Sequence, residues 1–461
     1  MRTLFDKIAH YGASDILPMH MPGHKRQAGF MRGVAKFDIT EVTGFDDLHH
    51  PEGILREAME EAAVLWESDE SFFLINGSTC GILSAITAAT RFGNKILLAR
   101  NCHKSALNAV TLQQLDPVWL YPKKITPFAI DGGIDPAEVE EALEKQTDIA
   151  AVLIVSPTYE GVVSDVRSIA EAAHRHNIPL IVDAAHGAHF RFGKTFPADA
   201  LSQGADIVVE SLHKTLPALT QTAILHVNSD LIDKDSLRFA LQTFESSSPS
   251  YLLMASAVEC VRIMKEQGPA LMEEYDRHLS TLRRSLAHLS EGLLLEKTGE
   301  MFDYDNGKIV LGFHGYNGGE IHRYLLERYR VEIEMAAPGY IVAMTSVYDN
   351  DEALFRFQAA LNHLRRELPL RGKQDFPSVV CGKAEKVLKP SETRYRPKET
   401  CPLKEAEGKI AAETLYLYPP GSPLIATGER FTKEIIQTVR RCEEQGCTVY
   451  GTVHNTVKIL P

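Results

Sequence analysis

Two stretches decide how this chain folds: Pro179-Leu180-Ile181-Val182-Asp183-Ala184-Ala185-His186 and Asp206-Ile207-Val208-Val209-Glu210-Ser211-Leu212-His213-Lys214-Thr215. Each is a short β-rich apolar run that ends in polar residues. Working outward, the same pattern recurs at Phe72 to Ile75, Lys95 to Ala99 and Ala151 to Val155, with amphipathic stretches such as Val166 to His176 between. Strands alternating with helices predict an α/β domain built on a mainly parallel sheet. In such sheets ligands bind beyond the carboxyl ends of the strands. The residues just after the five runs, among them Asn76-Gly77-Ser78-Thr79, Asn101-Cys102-His103, Pro157-Thr158-Tyr159-Glu160 and Ser211 to Thr215, are therefore expected to converge on one site.

The 461 residues allow two to four domains. The serine-rich stretch Ser246 to Ser250 breaks the alternation, and a mostly helical region follows it past Arg283. Strand-like runs return at Lys308 to Phe313 and Tyr340 to Met344, around a helix from Gly319 to Arg330, which suggests a smaller α/β domain ending near Pro369. The expected division is an amino-terminal segment 1–54, a large domain 55–248, a small α/β domain 249–369 and an appended carboxyl-terminal domain 370–461. A net charge of −12 argues against broad binding to nucleic acid or anionic membranes. The apolar runs are only strand length, as in Ala150 to Val155, so no membrane span is expected. Seven cysteines without CxxC spacing read as free thiols in a reducing compartment, and the charged start of the chain carries no secretory signal pattern. A cytoplasmic protein is expected.

Three features carry chemistry. Gly77-Ser78-Thr79 follows a strand and opens the apolar helix Gly81 to Ala89, so free backbone N–H groups, two hydroxyls and the positive helix end face one point. That is an anion cup; a plain helix cap is the simpler reading of it taken alone. Lys214 directly follows a strand, where desolvation lowers its charge and suits it to Schiff-base formation. Asp183 ends another apolar strand beside the same crevice, and a buried carboxylate needs a cationic partner. A phosphate cup, a Schiff-base lysine and an aspartate for a pyridinium nitrogen together describe pyridoxal phosphate. His186 and His189 lack the HExxH spacing of a zinc site, and no metal is expected.

The chain also resembles a known family, the Orn/Lys/Arg decarboxylases, which are fold type I pyridoxal-phosphate enzymes of aspartate-aminotransferase-like architecture. The resemblance rests on Ser211-Leu212-His213-Lys214-Thr215-Leu216 with Thr220-Gln221, and on Asp183-Ala184-Ala185-His186-Gly187. His20-Met21-Pro22-Gly23-His24-Lys25, Asp46-Asp47-Leu48-His49, His103-Lys104-Ser105 and Tyr418-Pro419-Pro420-Gly421 extend it over nearly the whole chain. Because the motifs start by residue 20, the amino-terminal response-regulator-like domain of the longest members, and the ring assemblies built with it, are not expected. The resemblance implies Lys214 as the cofactor lysine, Asp183 as the pyridine-nitrogen partner and His103 as the imidazole stacked on the ring. It assigns Gly77, Ser78, Thr79 and Ser211 to the phosphate, Ala185 beneath the ring and His186 beside it. His213 either reaches the substrate or packs beside the lysine.

The implied reaction is decarboxylation of a basic amino acid, tied to polyamine metabolism, with arginine favoured over lysine or ornithine by the likeness to compact members. Glu413, Glu332 and Glu334 are candidates for the distal cation, and Thr158 for contact with cofactor or substrate. An aminotransferase or a carbon–sulfur lyase shares the fold and is the nearest alternative, and a non-catalytic cofactor-binding protein is another. A homodimer, or a homo-oligomer built from dimers, is expected, with sites shared between subunits.

Overall fold

The computed structural model describes residues 3–14, 30–287, 294–313, 315–368, 371, 383–418 and 421–461. The His20 to Lys25 motif, Pro369, Cys381, Pro419 and Pro420 lie outside them. Seven strands form the central sheet: β1 (Glu70–Leu74), β2 (Lys95–Ala99), β3 (Asp116–Leu120), β4 (Ile149–Val155), β5 (Leu180–Asp183), β6 (Ile207–Glu210) and β7 (Ala223–Val227). Their order is β1-β7-β6-β5-β4-β2-β3. Strands β2 to β6 pair in parallel, while β7 runs antiparallel to both β1 and β6. All the strands except β7 thus point the same way, and their carboxyl ends share one edge. Beside them at that edge lies the amino end of β7.

The five runs expected from the sequence are β1, β2, β4, β5 and β6. The other two gave weaker signals for physical reasons. β3 lies at the sheet edge, begins Asp116-Pro117 and is only partly buried, which suits a proline that cannot donate to a ladder. β7 carries His226 in an otherwise apolar run, and that ring is fully buried because Ser71 Oγ meets its Nδ1 at 2.7 Å. The interior strands are apolar on both faces because helices cover both. Ile96 and Leu98 enter one core with the helices Gly77–Ala89, Lys104–Leu112 and Lys234–Phe244; Leu97 and Ala99 enter the other. This second core continues into a small sheet, β8 (Lys308–Leu311), β9 (Met335–Ala336) and β10 (Ile341–Met344), which is antiparallel in the order β8-β10-β9. Helix Tyr251–Ala287, 37 residues long, supplies buried side chains to it along much of its length.

The carboxyl-terminal part has a core of its own around Leu403, Phe431, Ile435 and Val439. Strands β11 (Glu399–Pro402), β12 (Ile410–Ala411), β13 (Leu415–Tyr418), β14 (Ser422–Ile425), β15 (Thr448–Tyr450) and β16 (Thr456–Leu460) form two antiparallel sheets, β11-β16-β12 and β14-β13-β15. One buried ion pair fastens this part to the large domain. Arg100, the residue after β2, donates to both oxygens of Glu429 at 2.7 and 2.8 Å, with both side chains at most 3% exposed. A planar bidentate pair of this kind satisfies both partners, but removing one leaves a buried charge unmatched. Glu429→Ala is therefore expected to destabilise the contact by about 3 to 5 kcal/mol. Urea unfolding followed by fluorescence should show an earlier first transition, and an unchanged curve would refute this.

Candidate functional site

A cavity of about 220 Å³ opens at the carboxyl-terminal edge of the sheet and is lined by Ser78, His103, Thr158, Asp183, Ala185, His186, Lys214 and Glu334. The sheet topology explains the convergence, since β1, β2, β4, β5 and β6 deliver their following residues to one edge. The carboxyl-terminal part closes the cavity with Tyr418, Gly421 and Ser422. Gly421 has φ +102°, a conformation that favours glycine, and a Cβ there would approach His103 Cδ2 to 3.3 Å. The Tyr-Pro-Pro-Gly segment is thereby tied to the cavity wall at its glycine.

The helix start expected to hold an anion lies beside the cavity. Helix Gly77–Ala89 has Asn76 at its N-cap with no side-chain cap hydrogen bond, so that side chain leaves the first N–H groups of the helix uncapped. Glu245 instead accepts from the N–H groups of Ile75 and Asn76, one step earlier in the chain, at 3.0 and 2.9 Å. Gly77, at φ +76°, makes the turn into the helix. Ser211 donates its hydroxyl to Ser78 Oγ at 3.0 Å, bringing a second strand end to the same point. Thr79 is exposed in the single chain, and neither it nor Gly77 lines the cavity.

Asp183 is 6% exposed and accepts from the Ala185 N–H at 3.2 Å. Burial pushes its carboxyl above the usual range, and the Lys214 charge opposes that shift. Lys214 is itself pushed down by burial, against the attraction of Asp183 and Glu334. A carboxylate short of cationic partners and an amine biased toward its uncharged form thus share one cavity. His103 caps helix Lys104–Leu112 and accepts the Ser105 N–H at Nδ1, 3.3 Å away. Burial, with help from Lys214 and Lys104, lowers its pKa to about 4, so the ring is neutral at ordinary pH. An uncharged imidazole, the small side chain of Ala185 and the carboxylate fit a flat, protonated heteroaromatic ring. The helix start and paired hydroxyls fit its phosphate.

Other expectations divide. Thr158 lines the cavity, and its hydroxyl also accepts the Val162 N–H at 3.1 Å. His213 does not line it; Nδ1 donates to the Thr222 carbonyl at 2.7 Å, which fixes the tautomer with Nε2 as acceptor. Of the three carboxylates considered for a distal cation, only Glu334 reaches the cavity, where Tyr159 donates to it. Glu332 turns to His322 at 2.5 Å, and Glu413 pairs with Lys398 at 3.3 Å, both away from the lining. Glu332 and Glu334 are both exposed, and what separates them is the partner each meets, His322 for Glu332 and Tyr159 for Glu334. Asp131 also lines the cavity without having been singled out, because it sits in a two-residue strand that periodicity cannot detect. Glu160 lines it too, buried and accepting from the Tyr340 hydroxyl at 2.7 Å.

Fold and site together define a fold type I pyridoxal-phosphate enzyme: a mainly parallel sheet with one reversed strand, a phosphate-ready helix start, and a lysine and an aspartate at adjacent strand ends. Family models sharpen this: the Orn/Lys/Arg decarboxylase major domain matches residues 3–336 and the family's carboxyl-terminal domain matches 381–451. The chain belongs to the Orn/Lys/Arg decarboxylase family. It is similar to an arginine decarboxylase of Bacillus subtilis, at 30% identity over 99% of this chain and 96% of that protein. An uncharacterised Bacillus subtilis protein, YaaO, is 33% identical over 98% of this chain and 96% of its own length. The solved constitutive lysine decarboxylase of Escherichia coli shares the fold with a TM-score of 0.84 at 18% identity, covering 99% of this chain and 82% of that one.

Proposed function

We propose that this protein decarboxylates arginine to the corresponding amine and carbon dioxide. Membership of the family makes it a pyridoxal-phosphate-dependent decarboxylase of a basic amino acid. What supports arginine is that full-length relatives at 29 to 30% identity are named arginine decarboxylases, whereas those named lysine decarboxylases share only 22 to 23%. The observation that carries a cationic substrate is Glu334 in the lining of the Lys214 cavity with the neutral Tyr159 hydroxyl as its partner; Asp131 and Glu160 line the cavity too, the first paired with Lys124 at 2.7 Å and the second pushed toward its neutral form by burial. When bound, pyridoxal phosphate supplies the electron sink that accepts the pair left at Cα as the bond to the carboxylate carbon breaks.

In this reading the chain's own groups do the rest. The helix start at Gly77, the hydroxyls of Ser78 and Ser211, and Thr79 hold the phosphate. Asp183 would keep the ring nitrogen protonated, and His103, Ala185 and His186 would hold the ring. Lys214 would hold the cofactor and would return a proton to Cα, with His213 supporting Lys214 from behind the cavity wall. Glu334, held by Tyr159, would face the distal cation, and Thr158 would contact the substrate chain. The division at residues 54, 248 and 369 serves as the working domain plan. We also read the protein as a cytoplasmic homodimer acting in polyamine metabolism. The free thiols of the six described cysteines support the compartment, and the exposure of Thr79 beside the cup leaves room for a partner subunit. Among the described residues no helix is long and apolar enough to cross a membrane.

The test is product identification with arginine, lysine and ornithine supplied separately to the holoenzyme. Agmatine formation at the highest kcat/KM supports arginine, and a higher value for lysine or ornithine replaces it. Glu334→Gln is expected to raise KM for the preferred substrate roughly tenfold with a smaller change in kcat, because a half-solvated carboxylate loses its charge but keeps its shape. Equal loss in kcat with constant KM would move Glu334 away from substrate binding.

A further inference from the structure

Glu245 stands just past the end of helix Lys234–Phe244 and is buried, and no step of the reaction described above uses it. It does not line the Lys214 cavity. Its two oxygens take different backbone donors, Oε2 accepting from the Ile75 N–H at 3.0 Å and Oε1 from the Asn76 N–H at 2.9 Å. The thiol of Cys80, in helix Gly77–Ala89, donates to the same carboxylate; burial first, and then the Glu245 charge, push that thiol up and keep it protonated. One carboxylate thus holds the chain on both sides of Gly77-Ser78-Thr79.

Two further contacts hold the same turn. Asn76 Nδ2 donates to the Phe244 carbonyl at 3.1 Å, a second tie to the end of helix Lys234–Phe244, and Gln221 Nε2 donates to the Ile75 carbonyl at 2.6 Å. A buried carboxylate needs donors. Those that Glu245 takes come from residues 75, 76 and 80, and the N–H groups of Ser78 and Thr79 are not among them. A helix start binds an anion through N–H groups already in place, and a turn fixed beforehand loses less freedom when the anion arrives. Charge works in the opposite direction. A carboxylate beside an anion site repels the anion, so electrostatics alone predicts that neutralising Glu245 tightens phosphate binding. Positioning predicts that it weakens it.

We propose that Glu245 is a positioning residue for the cofactor phosphate: its carboxylate clamps the chain before and after Gly77-Ser78-Thr79 and so fixes the helix start that receives the anion. This rests on the reading above that the phosphate binds there. The test is equilibrium dialysis of full-length apoprotein against pyridoxal phosphate and, separately, against pyridoxal, which has the ring and aldehyde but no phosphate. Wild type should bind the phosphorylated form more tightly. Glu245→Gln sets an amide NH2 against a buried N–H donor, and should weaken pyridoxal phosphate roughly tenfold while leaving pyridoxal unchanged. The preference for the phosphorylated form then falls by the same factor. A preference that stays constant, whether both affinities hold or both drop alike, overturns the proposal, and so does one that rises as charge alone predicts. Should Glu245→Gln not fold, Asn76→Ala decides by the same ratio: losing the tie to Phe244 should lower the preference roughly threefold, and no change overturns the proposal. Equal binding of the two compounds by wild type would overturn the phosphate reading itself, and this proposal with it. No arm depends on which amino acid is decarboxylated, so failure of the substrate assay and failure here are separate results.

Discussion

A Lys214→Ala protein is expected to lose covalent attachment of pyridoxal phosphate and to fall in kcat by on the order of 10⁴-fold. Two roles end together in this variant. In the reading proposed above, the amine that would hold the cofactor is gone, and so is the group assigned to return a proton to Cα. The fold should survive, because Lys214 lies in a four-residue helix whose buried residues are Leu212 and Thr215. Borohydride reduction followed by peptide mapping gives the measurement: wild type should carry the cofactor on the peptide containing Ser211 to Thr215, and the variant should carry none. Label retained on another lysine, Lys308 being the obvious one at the far side of His186, would reassign the chemistry. Unchanged turnover would remove Lys214 from the reaction.

The second large effect is at Asp183. Asp183→Asn preserves size but removes the charge that keeps a pyridine nitrogen protonated, and with it the ring's capacity to accept electrons. A loss in kcat of about 10² to 10⁴-fold is expected, the span typical of a misplaced proton in a catalytic group. Cofactor affinity should fall as well. Burial raises the Asp183 carboxyl, and Lys214 is the cation that opposes this, so a bound pyridinium would provide the missing counter-charge. Equilibrium dialysis of the apoprotein with pyridoxal phosphate separates the two effects. If Asp183→Asn binds cofactor and turns over like wild type, the aspartate has no part in ring protonation.

The two variants differ in a useful way. Lys214→Ala removes attachment, whereas Asp183→Asn leaves attachment possible and weakens what the attached ring can do. A chain that merely bound the cofactor, without reaction, would show only the first kind of loss.

How much of this was readable from residues alone follows from sequence distance. Lys214, Asp183, Ser78 and Ser211 each stand at the end of a recognisable apolar run, and the alternation of strands and helices already sends such ends to one edge. His103 and Thr158 follow the same rule. The distal side of the cavity does not. Glu332, Glu334 and Glu413 are equivalent as letters, and what separates them is that Glu334 meets Tyr159 at the cavity while His322 and Lys398 engage the other two. Lys308 gave one faint signal, a lysine heading an apolar strand, but nothing local says that it meets His186.

The sequence by itself thus determined the parallel sheet, the cofactor class and the residues at the strand ends, because all of these depend on patterns within about ten neighbouring positions. Tertiary structure alone decided which carboxylates line the cavity, that Arg100 and Glu429 fasten the carboxyl-terminal part to the large domain, and that His186 lies between Lys214 and Lys308. Those contacts depend on the path of the chain between elements 28 to 329 residues apart, where burial selects partners by position and charge rather than by any spacing along the chain.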